Sequence, residues 1–83
     1  MRIAVIGAGN GGQAIAGYLG LSGYDVNLYD IEVPKIEELQ RKGGIELEGR
    51  INGFGKVSCI TTDIEEAARG AEIIMVTTVA NAH

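Results

Sequence analysis

The chain has 83 residues and a net charge of −4; it is one small domain at most, since domains run from about 50 to 200 residues. The acidic balance speaks against a nucleic-acid partner, which demands a basic face, and no stretch approaches the roughly 18 apolar residues of a membrane helix. Hydrophobic residues make up 46% and charged residues 22%, as in ordinary globular chains, whereas the 13 glycines are an excess and sit where turns and caps are needed.

Residues 2–6, Arg-Ile-Ala-Val-Ile, form a short apolar run without alternation, the pattern of a strand buried on both faces of a parallel sheet. The run is too short for a secretory leader, which needs about seven apolar residues or more. A glycine loop, Gly7 to Gly12, leads into a helical stretch reaching about Ser22. Ala14, Ile15, Tyr18 and Leu19 recur there at helical spacing and are expected to face the sheet. Gly23 stands at the position of a left-handed helix cap. Residues 25–29 alternate and predict the second strand.

Pro34 suits the first turn of the next helix, where its missing N–H costs nothing. Ile36 and Leu39 give that helix an apolar stripe, and Glu37–Arg41 and Glu38–Lys42 are favourable i,i+4 pairs on its wet side. Gly43 and Gly44 end it. Residues 45–60 predict a small β excursion: Ile45-Glu46-Leu47-Glu48 alternates, Asn52-Gly53 is a hairpin signal, and Lys56 to Thr61 reads as a further strand entering the parallel sheet. Thr62 or Asp63 caps a short helix, Asp63 and Glu66 match a capping box, and Gly70 ends the helix. Glu72 to Thr78 contains Ile-Ile-Met-Val, another buried strand. The sum is an α/β chain, a partial Rossmann fold with about four parallel strands, flanking helices and right-handed crossovers. A full Rossmann domain has about six strands, so residues 1–83 are read as its N-terminal portion, with no substrate domain.

The chemistry lies in Gly7-Ala8-Gly9-Asn10-Gly11-Gly12, a G-x-G-x-x-G motif. Alone the motif is weak; here it follows a strand, opens a helix, and is trailed by an acid at the expected distance. Gly7 allows the tight turn, Gly9 lets backbone approach a pyrophosphate, and Gly12 permits helix–strand contact. The N–H groups near Asn10, Gly11 and Gly12 are expected to face phosphates, aided by the helix dipole. Asp30 lies 18 positions after Gly12, where a carboxylate accepts hydrogen bonds from the adenosine ribose. No basic residue follows directly, since Ile31, Glu32 and Val33 come next. Lys35, the nearest cation, is placed inside the helix with no obvious phosphate to pair. The expected cofactor is therefore NAD, with NADP disfavoured.

The remaining candidates carry less chemistry. Cys59, the single cysteine, cannot form an internal disulfide; it fits a reducing, cytoplasmic compartment and is expected to be a buried structural thiol. His83, the single histidine, has nothing nearby to orient it, and Tyr18 and Tyr29 are expected to pack in the core. No catalytic residue and no metal cluster is assigned.

The opening Met-Arg-Ile-Ala-Val-Ile-Gly-Ala-Gly-Asn-Gly-Gly-Gln-Ala-Ile-Ala-Gly-Tyr-Leu resembles the start of the opine (octopine/nopaline) dehydrogenase family. So do Gly43 to Gly49 and Ile60 to Ala67, and Val76 to His83 looks like the loop after the family's fourth strand, without the proline common there. The glycine core is shared with relatives such as glycerol-3-phosphate dehydrogenase and ketopantoate reductase. The resemblance implies hydride transfer in the reductive condensation of an amino acid with a 2-oxo acid, catalysed with a histidine–aspartate pair from a C-terminal domain. The chain alone is then expected to be inactive, to partner the C-terminal part of the same enzyme, and to self-associate through an exposed sheet edge in its absence. A non-enzymatic NAD-binding regulatory module is the alternative; the excursion at 45–60 weighs against it.

Overall fold

The computed structural model describes residues 1–49 and 52–77. Strand β1 (Arg2–Ile6) is followed by helix α1 (Asn10–Leu21), β2 (Asp25–Tyr29), α2 (Val33–Lys42), β3 (Gly44–Leu47), β4 (Gly53–Lys56), β5 (Cys59–Thr61), α3 (Ile64–Ala68) and β6 (Ile73–Val76). Four strands form a parallel sheet in the order β5-β2-β1-β6. Ile3 lies beside Val26 and Ile73, and Leu28 beside Ile60. The architecture is the expected partial Rossmann fold, with β1 central and the chain stepping outward on either side.

Consecutive burial in the two middle strands follows from cover on both faces. Ile3, Val5, Val26 and Leu28 join Ile36 and Leu39 of α2, together with Ile45, Val57 and Ile60, in the main core. Burying each such side chain contributes about 1.5–3 kcal/mol. Ala4 and Asn27 are register partners and share the opposite face. There α3 lies close, and buried Asn27 donates from Nδ2 to the Ala67 carbonyl at 2.8 Å.

The helix ends are built as the residues dictate. Gly43 ends α2 in the left-handed conformation at φ 77°, and Gly23 has φ 100°. Asp63 caps α3 by accepting from the Glu65 and Glu66 N–H groups at 3.0 and 3.4 Å. Only half of the capping box forms: the Asp63 N–H donates to the Thr61 hydroxyl at 2.9 Å, not to Glu66. Glu38 and Lys42 pair at 3.7 Å; among the described residues Glu37 and Arg41 do not.

Four expectations need correction. Strand β6, expected to be buried, is largely exposed, because it lies at the edge of the sheet and among the described residues pairs with β1 alone. Ala14 and Tyr18 do not face the sheet; Ala14 is exposed and Tyr18 is 51% exposed. Helix α1 buries Gly12, Ala16 and Gly17 instead, with Ile15 and Leu19 packed against the core. The reason is the β3–β4 hairpin, which lies on α1 where Gly17 and Gly20 leave room. The strand read at 56–61 is two: Lys56 ends the antiparallel hairpin, and Cys59 begins the parallel strand. Cys59 is half-buried rather than buried.

Candidate functional site

The site lies at the carboxyl ends of β1 and β2, where chains of this topology open a crevice. Gly7 leaves β1 at φ 114°, a backbone conformation that glycine adopts at little cost. Its N–H donates to the Tyr29 carbonyl at 2.7 Å. A Cβ on Gly7 would collide with Thr77, whose hydroxyl lies 3.2 and 3.1 Å from the Ile6 and Gly7 carbonyls. A Cβ on Gly12 would be driven into the Gly7 carbonyl. These two glycines are required by internal contact.

Gly9 and Gly11 differ. A Cβ on either would meet nothing within 4 Å, so internal packing does not call for glycine there. Gly9 is the N-cap of α1, with no side-chain cap, and the first helical bond runs from the Gln13 N–H to the Gly9 carbonyl at 2.9 Å. The N–H groups of Asn10, Gly11 and Gly12 thus lack intrahelical acceptors, at the positive end of the helix dipole. Gln13 Nε2 donates to the Ala8 carbonyl at 2.8 Å and fixes the loop.

Asp30 is locked to this loop. Its Oδ2 accepts the Ala8 N–H at 2.8 Å and its Oδ1 the Glu32 N–H at 3.0 Å. Burial pushes its pKa up, but hydrogen bonds from the Glu32, Ala8 and Ile31 backbone, with the Lys35 charge, outweigh this and hold the carboxyl below its ordinary value. Lys35 does reach the site: Nζ lies 3.8 Å from Asp30 Oδ2 and 3.0 Å from Glu32 Oε1. The hydrogen bond to Glu32 raises the Lys35 pKa against the opposing effect of burial.

Gly7, Gly9, Asn10, Gly11, Gly12 and Asp30 all line one cleft of about 880 Å³. That volume falls within the roughly 300–1,000 Å³ typical of small-molecule and cofactor sites. The arrangement offers backbone N–H donors at one wall, suited to an anion, and an ionised carboxylate acceptor at the other, suited to hydroxyl groups. Sequence reasoning missed Thr77, Gln13 and Lys35, and placed Tyr29 in the core where it lines the cleft half-buried. His83 lies outside the described residues. Cys59 stands apart, beside Arg2, Asn27, Ser58, Glu66 and Arg69. Its burial, then the Glu66 charge, pushes the thiol pKa up against the pull of Arg2, which disfavours the reactive thiolate. Among the described residues no group of His, Cys, Asp or Glu is arranged to hold a metal ion, and no helix is long and apolar enough to cross a membrane.

Residues 2–83 match the family model of the NAD binding domain of 6-phosphogluconate dehydrogenase. Over 74 residues, 88% of this chain, the sequence is 40% identical to an opine dehydrogenase from Arthrobacter sp. (strain 1C). The chain spans 21% of that relative's length. With its glycine loop, acid and strand order, the chain belongs to the family of NAD-binding domains represented by that of 6-phosphogluconate dehydrogenase, and it is similar to the N-terminal part of an opine dehydrogenase.

Proposed function

We propose that this chain is the cofactor-binding portion of an opine-dehydrogenase-like oxidoreductase and that it takes NAD in preference to NADP. The observation that carries the reading is the bare backbone at Gly9 and Gly11 facing the cleft, where only an outside partner calls for glycine. The bound cofactor supplies hydride transfer. The chain's own residues hold it: Gly9, Asn10, Gly11 and Gly12 through backbone and helix dipole at the pyrophosphate, with Gly7 shaping the turn. Asp30 accepts from the ribose. Its carboxylate has about four lone-pair sites, and the two backbone bonds leave room for the ribose hydroxyls. Against the 2′-phosphate of NADP the same carboxylate repels, and like charges across an interface cost several kcal/mol. The catalytic acid–base pair and the substrate site belong to the rest of the enzyme, which joins an amino acid to a 2-oxo acid in the cytoplasm.

Titrating NAD and NADP by calorimetry, in the natural full-length protein and in Asp30→Ala, tests the cofactor reading. NAD is expected to bind at least about tenfold tighter, with the preference collapsing in Asp30→Ala. Equal or tighter NADP binding in the unaltered protein sinks it.

The outer strand β6 carries the second part of the reading. Ile73, Ile74 and Val76 are 43%, 53% and 67% exposed, and among the described residues β6 pairs with β1 alone. An open apolar edge is a template for another chain. We assign this edge to the remainder of the enzyme, and in the isolated 83-residue chain to a second copy. Sedimentation velocity at micromolar concentration is expected to show dimers or larger species; a clean monomer contradicts the assignment.

A further inference from the structure

Three charged side chains meet at the Asp30 end of the cleft. Asp30 and Lys35 line it, Glu32 lines it beside them, and the Lys35 ammonium lies 3.8 Å from one carboxylate and 3.0 Å from the other. All three project from the β2–α2 turn and the first turn of α2. An acid alone would present the ribose with an uncompensated negative site. Here two carboxylates and one ammonium leave a net charge of about −1, with a mobile cation on a flexible stem between them.

We propose that Lys35 is a specificity-determining residue of the cofactor site, which weakens the discrimination that Asp30 imposes against a 2′-phosphorylated adenosine. The inference rests on the cofactor assignment made above. With a free ribose diol, Lys35 stays on Asp30 and Glu32 and gains no new partner. With a 2′-phosphate, the incoming dianion meets Asp30, and the ammonium beside it swings to the phosphate, offsetting part of the repulsion. Lys35 therefore favours the phosphorylated cofactor more than the free one. Asp30 sets the sign of the preference and Lys35 limits its size.

The test compares the ratio Kd(NADP)/Kd(NAD) in the full-length protein across three variants at low salt. Lys35→Met is expected to raise the ratio about threefold to tenfold, the size of a partly screened charge contact. Lys35→Arg, which keeps the charge, is expected to hold it within about twofold. Glu32→Gln, which removes a negative charge and frees Lys35, is expected to lower it. The shifts in Lys35→Met and Glu32→Gln should both shrink near 1 M salt, where the screening length is about 3 Å, a response that a packing defect does not show. A Lys35→Met ratio that is unchanged or lower, or a shift indifferent to salt, overturns the role of Lys35 alone. Absence of any dinucleotide binding in the unaltered protein overturns the cofactor assignment itself, and this inference with it.

Discussion

The turn from β1 into α1 and the contact between α1 and the β3–β4 hairpin are both glycine-rich, yet they use glycine differently. At the hairpin the need is internal. A Cβ on Gly55 would run into the Gly17 carbonyl, one on Gly20 into the Lys56 carbonyl, and one on Gly44 into the Gly55 carbonyl. Two pieces of backbone touch there, and side chains are excluded from between them. In the β1–α1 turn the same logic covers Gly7 and Gly12 but stops at Gly9 and Gly11. At Gly9 and Gly11 the space is open and φ is ordinary, so internal packing does not account for glycine, and this is the basis on which we propose that they face a bound dinucleotide.

The largest effect that would break this contrast is at the hairpin. Gly55→Ala is expected to cost about 3 kcal/mol, the upper range for overpacking, a large share of the 5–15 kcal/mol by which domains are stable. Urea unfolding reads it; an unshifted midpoint would mean that the hairpin lifts off α1 freely. Next come the two open glycines. Gly11→Ala is expected to stabilise the fold by about 0.5 kcal/mol, since alanine is the better helix former. Gly9→Ala, at the N-cap, is expected to cost under about 1 kcal/mol. Both should weaken dinucleotide binding about tenfold or more, so stability and affinity part company. A variant that keeps full affinity would return these glycines to the structural class. The smallest effect is at Asp30. Its pKa is lowered from 3.8 in the folded chain, so its contribution is present above that value and is lost as pH falls through the lower folded pKa. As pH falls below about 3.8, the unaltered protein should lose slightly more stability than Asp30→Asn does; parallel acid titrations of the melting midpoint would refute the contribution.

The sheet was legible because its strands are apolar runs cut by glycine, and the cleft was legible because the spacing of Gly7, Gly9, Gly12 and Asp30 is local. What escaped depended on contacts distant in sequence. Nothing in the pattern of α1 tells that Gly17 and Gly20 mark a buried face while Tyr18 is exposed, because the hairpin that covers them lies some 25 residues or more away. Thr77 is an ordinary strand-end threonine until β6 is laid beside β1. Lys35 reads as a wet helix residue until α2 is seen to start at Val33 and to turn its first turn toward Asp30. The split at Val57 and Ser58 was hidden because an antiparallel strand and a parallel one follow each other with the same apolar alternation.

The two clasps that close the β1–α1 turn also set an order of events. Tyr29 and Asp30 bind the turn through partners 22 residues away, whereas Thr77 binds it from 71 residues beyond Ile6. Closing the longer loop costs about 1 kcal/mol more in chain entropy, and non-local pairings form more slowly. The Asp30 clasp is therefore favoured to form first, and during synthesis it needs only the first strand–helix–strand unit to have emerged. In pulse-labelled hydrogen exchange the Ala8 amide should gain protection before the Thr77 amide does. A nascent chain some 40 residues long already carries Gly7 to Gly12 and Asp30, which line two walls of the cleft, before its outer strands β5 and β6 have arrived.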